Sequence, residues 1–339
     1  MSEGVRAYHR LSMHRPDGFA PGPGALDWAT QPAPFRQYSG ARLIELWHRP
    51  LEESPGYDEA FAGPVGEPAP LDLASISQLL YDSLGLSAWK ESGGSRWALR
   101  VNPSSGNLHP TEAYLVVPPG ILQAEGLLLH YRPDLHAAEV RAELDPASMR
   151  TLPGDGCLLA LSSIPWREAW KYGERAYRYC QHDLGHALAC LSIAASALGW
   201  QVRLMRQLPQ AELDRLMGLA GEGFAEAESV DALLWIGSPR SGEPTLDRAL
   251  LDAMADATRQ GQPNGLSARY RDWPALTEVH RQCRAPALPV HDWSAAPGMS
   301  ESANPGLALR PLLHRRRSAQ PWTGAPASPP SCCGPGCRG

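Results

Sequence analysis

Apolar residues first recur at helical spacing in Leu73, Ile76, Leu79, Leu80, Leu84 and Leu86. Asp72 stands ahead of them, and Gly85 or the Gly93-Gly94 pair is the stop signal, so the core is expected to open with a helix from Asp72. Short apolar runs then predict strands over Ala113 to Val117 and Cys157 to Leu161. Two more, Leu127 to Tyr131 and Ala137 to Ala142, flank Pro133-Asp134 and read as a hairpin. Glu174 to Leu198 carries Ala, Leu and Ile at helical spacing with Gly199 behind it, which predicts one long helix. Strands over Trp200 to Leu204 and Val230 to Gly237 and a helix over Gln210 to Leu219 complete the pattern. Strands mixed with long helices point to a layered α+β or α/β architecture.

Outside this stretch the periodicity fails. Residues 1–70 are rich in Pro and Gly and show one expected short helix near Arg42 to Trp47. Their dispersed aromatics, Trp28, Phe35, Tyr38 and Trp47, favour an arm docked on the core over free coil. Residues 241–306 turn polar and Pro-rich again, with one helix around Leu246 to Arg259, and read as a linker or embracing arm. Residues 71–240 are the expected central domain, and 307–339 form a separate ending.

The chain has 339 residues and a net charge of -5, which argues against a general nucleic-acid binder. It lacks the roughly 20-residue apolar run of a membrane span and the apolar segment of a signal peptide. Cys157, Cys180, Cys190 and Cys283 are scattered, as buried reduced thiols in a cytoplasmic protein would be. Cys332, Cys333 and Cys337 lack a fourth ligand and make a poor metal site. Of 31 cationic residues only Lys90 and Lys171 are lysines, so an isolated arginine carries little information.

The most informative stretch is RWALRVNPSSGNLHPTE, residues 96–112. Its small residues let backbone N–H groups approach an anion or a flat heteroaromatic, and Arg100 can pair with a phosphate. An ordinary turn before a strand is the competing reading. The Gly spacing and Lys-Ser/Thr of a phosphate-binding P-loop are missing. Lys171-Tyr172 sets a cation beside a phenol at an expected helix start, either a proton relay or a packed tyrosine beside a solvated lysine. His182 and His186 share a helix face with Asp183 adjacent, but the Glu of a zinc-protease motif is lacking and no metal is expected.

The segment Pro103-Ser104-Ser105-Gly106-Asn107-Leu108-His109-Pro110, followed by a strand, resembles the flavin-binding loop of the nitroreductase superfamily, with His109 where Gln is more usual. Arg100 before it, and Lys171-Tyr172 before Glu174-Arg175-Ala176-Tyr177-Arg178-Tyr179, are similar to the SagB-type azoline dehydrogenase branch. The resemblance implies a nitroreductase-like α+β fold with a mostly antiparallel sheet. It implies that Ser104, Ser105, Gly106 and Asn107 line FMN, with Arg100 on the phosphate. It implies that Lys171 and Tyr172 handle the proton while the flavin takes the hydride. Ile236-Gly237-Ser238-Pro239-Arg240 resembles the superfamily's closing turn, which makes Arg240 a further phosphate ligand.

Leu312 to Gln320 resembles the Arg-Arg-Ser opening of a second such domain, whose Arg and Ser hold the FMN phosphate in relatives. The Pro- and Cys-rich ending that follows implies a truncated or frameshifted tandem protein, or a natural short form. Sites of this family are typically built at a dimer interface, so a homodimer is expected, acting on a small-molecule or peptide substrate. The resulting expectation is a cytoplasmic FMN-dependent oxidoreductase. The alternative is a non-catalytic scaffold in a peptide-modification complex.

Overall fold

The computed structural model describes residues 3–220, 226–242, 244–284 and 306–317. The chain opens with α1 (Glu3–Ser12), short strands β1 (Tyr38–Ser39) and β2 (Leu43–Glu45), and α2 (Tyr57–Ala62). Helix α3 (Leu73–Leu84) leads into a hairpin of β3 (Leu86–Ser92) and β4 (Ser95–Arg100). Strands β5 (Thr111–Val117), β6 (Gly126–Arg132), β7 (Ala137–Leu144) and β8 (Gly156–Ser163) follow. Then come α4 (Pro165–Tyr172), α5 (Ala176–Ala197), β9 (Gln201–Met205), α6 (Gln210–Met217) and β10 (Ser229–Gly237). The remaining elements are α7 (Arg248–Asp256), β11 (Gln262–Pro263), α8 (Pro274–Cys283) and α9 (Leu309–Arg315).

Seven strands form one sheet in the order β2-β7-β6-β5-β8-β10-β9, and every adjacent pair is antiparallel. Side chains alternate between its faces along β5 and β8, and bulges interrupt the alternation on β7 and at the start of β10. On β8 Cys157, Leu159 and Leu161 face α3 and α5, whereas Leu158 and Ala160 face α6 and α7. On β10 Ala232, Leu234 and Ile236 join the first side and Leu233 and Trp235 the second. Both faces are covered, which is why these strands read as continuous apolar runs. The fold is α+β, as expected.

Helix α3 begins where the sequence indicates because Asp72 accepts from Ser75 N at 2.8 Å while Ser75 Oγ accepts from Asp72 N at 3.0 Å, a reciprocal cap. It ends at Gly85. Gly93 and Gly94, at φ 57° and 77°, instead make the tight turn of the β3–β4 hairpin, which the sequence reading missed. The helix expected near Arg42 to Trp47 is the edge strand β2, paired with β7 through Leu43–Glu139 and Glu45–Ala137. A run that short nucleates no helix alone, and the open sheet edge supplies the hydrogen bonds. The expected helix over Gln210 to Leu219 is α6, and that over Leu246 to Arg259 is the shorter α7. Helices α1, α2, α4, α8 and α9 were not anticipated.

The arm docks mainly through residues other than its tryptophans, although the Trp28 ring packs edge-on 5.3 Å from that of Trp170. Trp28 and Trp47 are more than half exposed, whereas Arg36 and Tyr38 are buried. Arg36 donates to Glu228 Oε2 at 3.2 Å and to the Asn264 carbonyl at 2.6 Å. Tyr8 Oη donates to the Glu174 carbonyl at 2.6 Å. Among the described residues no helix is long and apolar enough to cross a membrane. Cys157, Cys180, Cys190 and Cys283 are free thiols, whereas Cys332, Cys333 and Cys337 lie outside the described residues.

Candidate functional site

The loop between β4 and β5 is built by its own side chains. Ser104 Oγ accepts from His109 N at 2.8 Å, and Asn107 Nδ2 donates to the Ala98 carbonyl at 2.8 Å. Gly106, Asn107 and His109 take left-handed φ values of 61°, 61° and 52°. That strain, which only Gly adopts freely, turns the backbone of Gly106 outward. Asp183 on α5 holds the loop from below. Its carboxylate is fully buried and accepts from Ser105 N at 3.0 Å and Ser105 Oγ at 3.0 Å. His186 Nδ1 lies 3.8 Å from the same carboxylate. Burial raises the Asp183 pKa, opposed by the hydroxyls of Ser104 and Ser105 and the Ser105 N–H. Asp183 is the site residue that the sequence reading did not use. The available signal was an acid inside the apolar stripe Cys180, Leu184, Ala187 and Leu191, which needs donors waiting for it.

The pair Lys171-Tyr172 sits opposite this loop. The sequence suggested one long helix beginning just after it, and α5 is that helix; a separate helix, α4, which the sequence did not indicate, carries the pair itself. Pro165 sets the first turn of α4, which ends at Tyr172, and Gly173 at φ 54° redirects the chain before α5. A Cβ on Gly173 would stand 2.9 Å from the Trp273 ring, so space and backbone both require glycine. Lys171 and Tyr172 thereby close α4 directly over Gly106. A Cβ built on Gly106 would lie 2.5 Å from Tyr172 Oη and 3.1 Å from Lys171 Nζ. The Tyr172 ring packs 4.4 Å from that of Tyr179, and burial pushes its phenol up to about 12, helped by the Glu168 charge.

A cleft of about 330 Å³ runs along the other side of the loop. Its wall includes Lys90, Arg100, Asn102, Ser104, Gly106 and Asn107, together with Arg316 and Arg317. The last two follow α9, which is anchored by Arg310 donating to Asp82 Oδ2 at 2.7 Å and to the carbonyls of Arg49, Glu53 and Pro50. Arg100 is buried and donates to the Thr111 and Pro34 carbonyls at 3.0 and 2.8 Å. Burial lowers its pKa to about 10, against the pull of Glu112. Three buried polar atoms in this wall have no hydrogen-bond partner: Arg100 Nε, Asn102 Oδ1 and His109 Nδ1. Four cationic side chains around donors and acceptors left open suit an anionic ligand with a flat, polar body.

Arg240 lies elsewhere. Its exposed guanidinium pairs with Glu67 Oε2 at 2.9 Å, and it is not among the residues lining the cleft. His182 packs edge-on against Tyr179.

Behind the loop, buried charges tie the arm and α4 to the sheet. Glu112 receives Arg167 Nη1 at 2.5 Å and lies 3.2 Å from His130 Nε2, whose Nδ1 lies 2.9 Å from Glu139 Oε2. Burial alone would raise the Glu112 pKa, but Arg167, His130 and Arg100 hold it far below the usual carboxylate range. Burial pushes His130 the other way, and its bonds to Glu112 and Glu139 override it and raise its pKa.

Residues 68–230 match the sequence model of the nitroreductase family. No curated protein matches significantly. Among solved structures, one assigned as a nitroreductase from Anabaena variabilis is 23% identical with a TM-score of 0.58, over 85% of this chain. The match spans only 56% of that structure's chain. Another so assigned, from Ralstonia eutropha, is 19% identical over 66% of this chain and 98% of its own, with a TM-score of 0.45. The Escherichia coli microcin synthetase McbBCD complex with truncated pro-MccB17 bound is 20% identical over 57% of this chain and 71% of its own, at 0.41. Family match, sheet order and helix layers agree: the chain has a nitroreductase-like α+β fold, and residues 68–230 resemble the nitroreductase family, whose members typically use flavin cofactors.

Proposed function

We propose that this chain is an FMN-dependent oxidoreductase that moves hydride between a substrate and the flavin, in the manner of the SagB-type dehydrogenases and nitroreductases it resembles. The observation that carries the reading is the approach of Lys171 Nζ and Tyr172 Oη to Gly106, the exposed turn of the loop. Two motifs 65 residues apart in sequence, each suggestive alone, meet at one point.

In this reading the backbone of Gly106 and the amide of Asn107 meet the flat ring system, held at fixed height by Ser104, Ser105 and Asp183. Arg100, Lys90, Arg316 and Arg317 take the phosphate, and Arg240, paired with Glu67 away from the cleft, has no part in this reading. When bound, FMN supplies the hydride chemistry. Tyr172 and Lys171 hold or move the accompanying proton at Tyr172 Oη and Lys171 Nζ. The exposed tryptophans of the hairpin, Trp89 and Trp97, support a homodimer that closes the cleft in the cytoplasm around a small-molecule or peptide substrate.

The test is a fluorescence titration with FMN and riboflavin, together with Lys171→Met. Saturable FMN binding that survives Lys171→Met, with hydride transfer lost in that variant, supports the reading. Absence of FMN binding at any concentration overturns it and favours a scaffold. Activity unchanged in Lys171→Met removes the proton role.

A further inference from the structure

A second groove, separate from the loop and its cleft, lies between α4 and the chain that leads into α8. It consists of two adjoining cavities of about 230 and 260 Å³ that share Trp166, Ala169, Tyr270 and Trp273. An apolar cavity of about 150 Å³ already admits benzene. Trp166 and Ala169, three apart, share one face of α4, and neither Lys171 nor Tyr172 lines either cavity. Tyr270 is half-exposed and stands edge-on to Trp166, with ring centroids 5.1 Å apart.

The two halves differ in character. Pro165, Ala227 and Leu276 make the first apolar, whereas Arg269 and Arg271 border the second. Neither arginine makes a salt bridge among the described residues, and Arg271 lies over the Trp273 ring, 4.1 Å from its centroid. The acids of the groove are already engaged. Asp27 accepts from Ala29 N at 3.1 Å, and Glu228 accepts from Arg36, Tyr114 and Ser162. Arg284, at the apolar end, is paired with Asp214 at 3.4 Å. Trp273 is 8% exposed, and its buried indole N–H has no hydrogen-bond partner. A donor withdrawn from water without an acceptor is costly, and an arriving acceptor removes that cost. The far edge of the same ring fills the space beside Gly173, the bend that sets Lys171 and Tyr172 in place.

We propose that this groove binds a small aromatic acid, its ring against Trp166, Ala169 and Tyr270 and its acid group at Arg269 and Arg271. Occupancy holds Trp273 against Gly173 and so stiffens the bend between α4 and α5. The groove is then an effector site, coupled to the Lys171-Tyr172 end of α4 through one packed ring. Its effect on turnover rests on the oxidoreductase reading; the binding and the stiffening do not.

The probe is anilinonaphthalene sulfonate, with uncharged phenylnaphthylamine as the same ring system without the acid. In fluorescence titrations of the full chain, the sulfonate should saturate one site per chain. It should bind about tenfold more tightly than the amine, the scale of one charge-assisted hydrogen bond. Thr277 is exposed on α8 and lines the apolar half, so Thr277→Trp fills the groove without disturbing the core and should remove that site. Tyr270→Ala, also at the surface, should weaken it. Arg269→Gln combined with Arg271→Gln should erase the preference for the sulfonate. Hydrogen exchange of the backbone over residues 165–180, read by mass spectrometry, should slow when the sulfonate is bound. Sulfonate binding in Thr277→Trp equal to wild type overturns the site, because the probe then sits elsewhere, the cleft beside Gly106 included. Equal affinity for the two probes overturns the acidic ligand class. Unchanged exchange over 165–180 at saturation overturns the coupling through Trp273. None of these readouts needs flavin, so a failure of the oxidoreductase reading leaves them intact.

Discussion

Gly106 joins conformation and chemistry in one position. A side chain there meets both an unfavourable φ of 61° and the Tyr172 hydroxyl. Gly106→Ala should cost about 1–2 kcal/mol from the left-handed backbone alone, measured by urea denaturation, and should weaken FMN binding beyond that loss. Asp183→Ala removes the acceptor for two Ser105 donors and leaves a buried N–H unpaired. A destabilisation of about 1–3 kcal/mol is expected, again by denaturation. Glu112 and His130 set the pH response. The folded pKa of Glu112 is depressed, so its stabilisation is complete above its unfolded value near ~4.3 and is lost as pH falls below that toward the folded value. The folded pKa of His130 is raised, so its contribution is complete below its unfolded value near ~6.5 and is lost as pH climbs through the folded value. Urea midpoints should decline on both sides of that window, and Glu112→Gln should flatten the acid side.

The break between α4 and α5 decides whether the site exists. Periodicity locates α5 through Tyr177, Cys180, Leu184 and Leu191, but it gives no sign of α4 ahead of it or of the bend between the two. Gly173 supplies the bend, and Trp273 on the approach to α8 fills the space a side chain would need. Gly173→Ala should therefore rotate the end of α4 away from Gly106. Crystallography or the Tyr172 ring-proton shifts would show the displacement, and unchanged shifts would refute it. The same helix carries Arg167, whose bonds to Glu112 and to the His109 and Ala33 carbonyls fix its other end. Removing one partner of so buried a charge costs about 3–5 kcal/mol, and Arg167→Ala should fall in that range by denaturation.

On the largest scale, a segment more than 200 residues away in sequence completes the cleft. Arg316 and Arg317 stand in the same wall as Lys90 and Arg100 because Arg310 and His314 clamp α9 to Asp82 on α3, with His314 Nε2 at 3.0 Å. The arginine-rich ending, which resembled the start of another domain, thus faces the loop of this one. Arg310→Ala should release α9 and reduce the preference for FMN over riboflavin, while riboflavin affinity changes little. Preference equal to wild type would place the phosphate elsewhere.

Much of the fold was legible because alternation on β5, β8 and β10 and the Asp72 cap are local signals that burial on both faces only reinforces. The loop and the Lys171-Tyr172 pair were legible as motifs, since their residue types are dictated by chemistry. Three things were decided by tertiary structure alone. Residues 43–45 became a strand because an open sheet edge offered partners that a short helix could not match. Asp183 acquired meaning only when packing withdrew it from water beside the Ser105 donors. The convergence of Gly106, Lys171 and Arg316 is a fact of chain reversal: sequence encodes each neighbourhood, whereas long-range hydrophobic packing chooses which neighbourhoods meet.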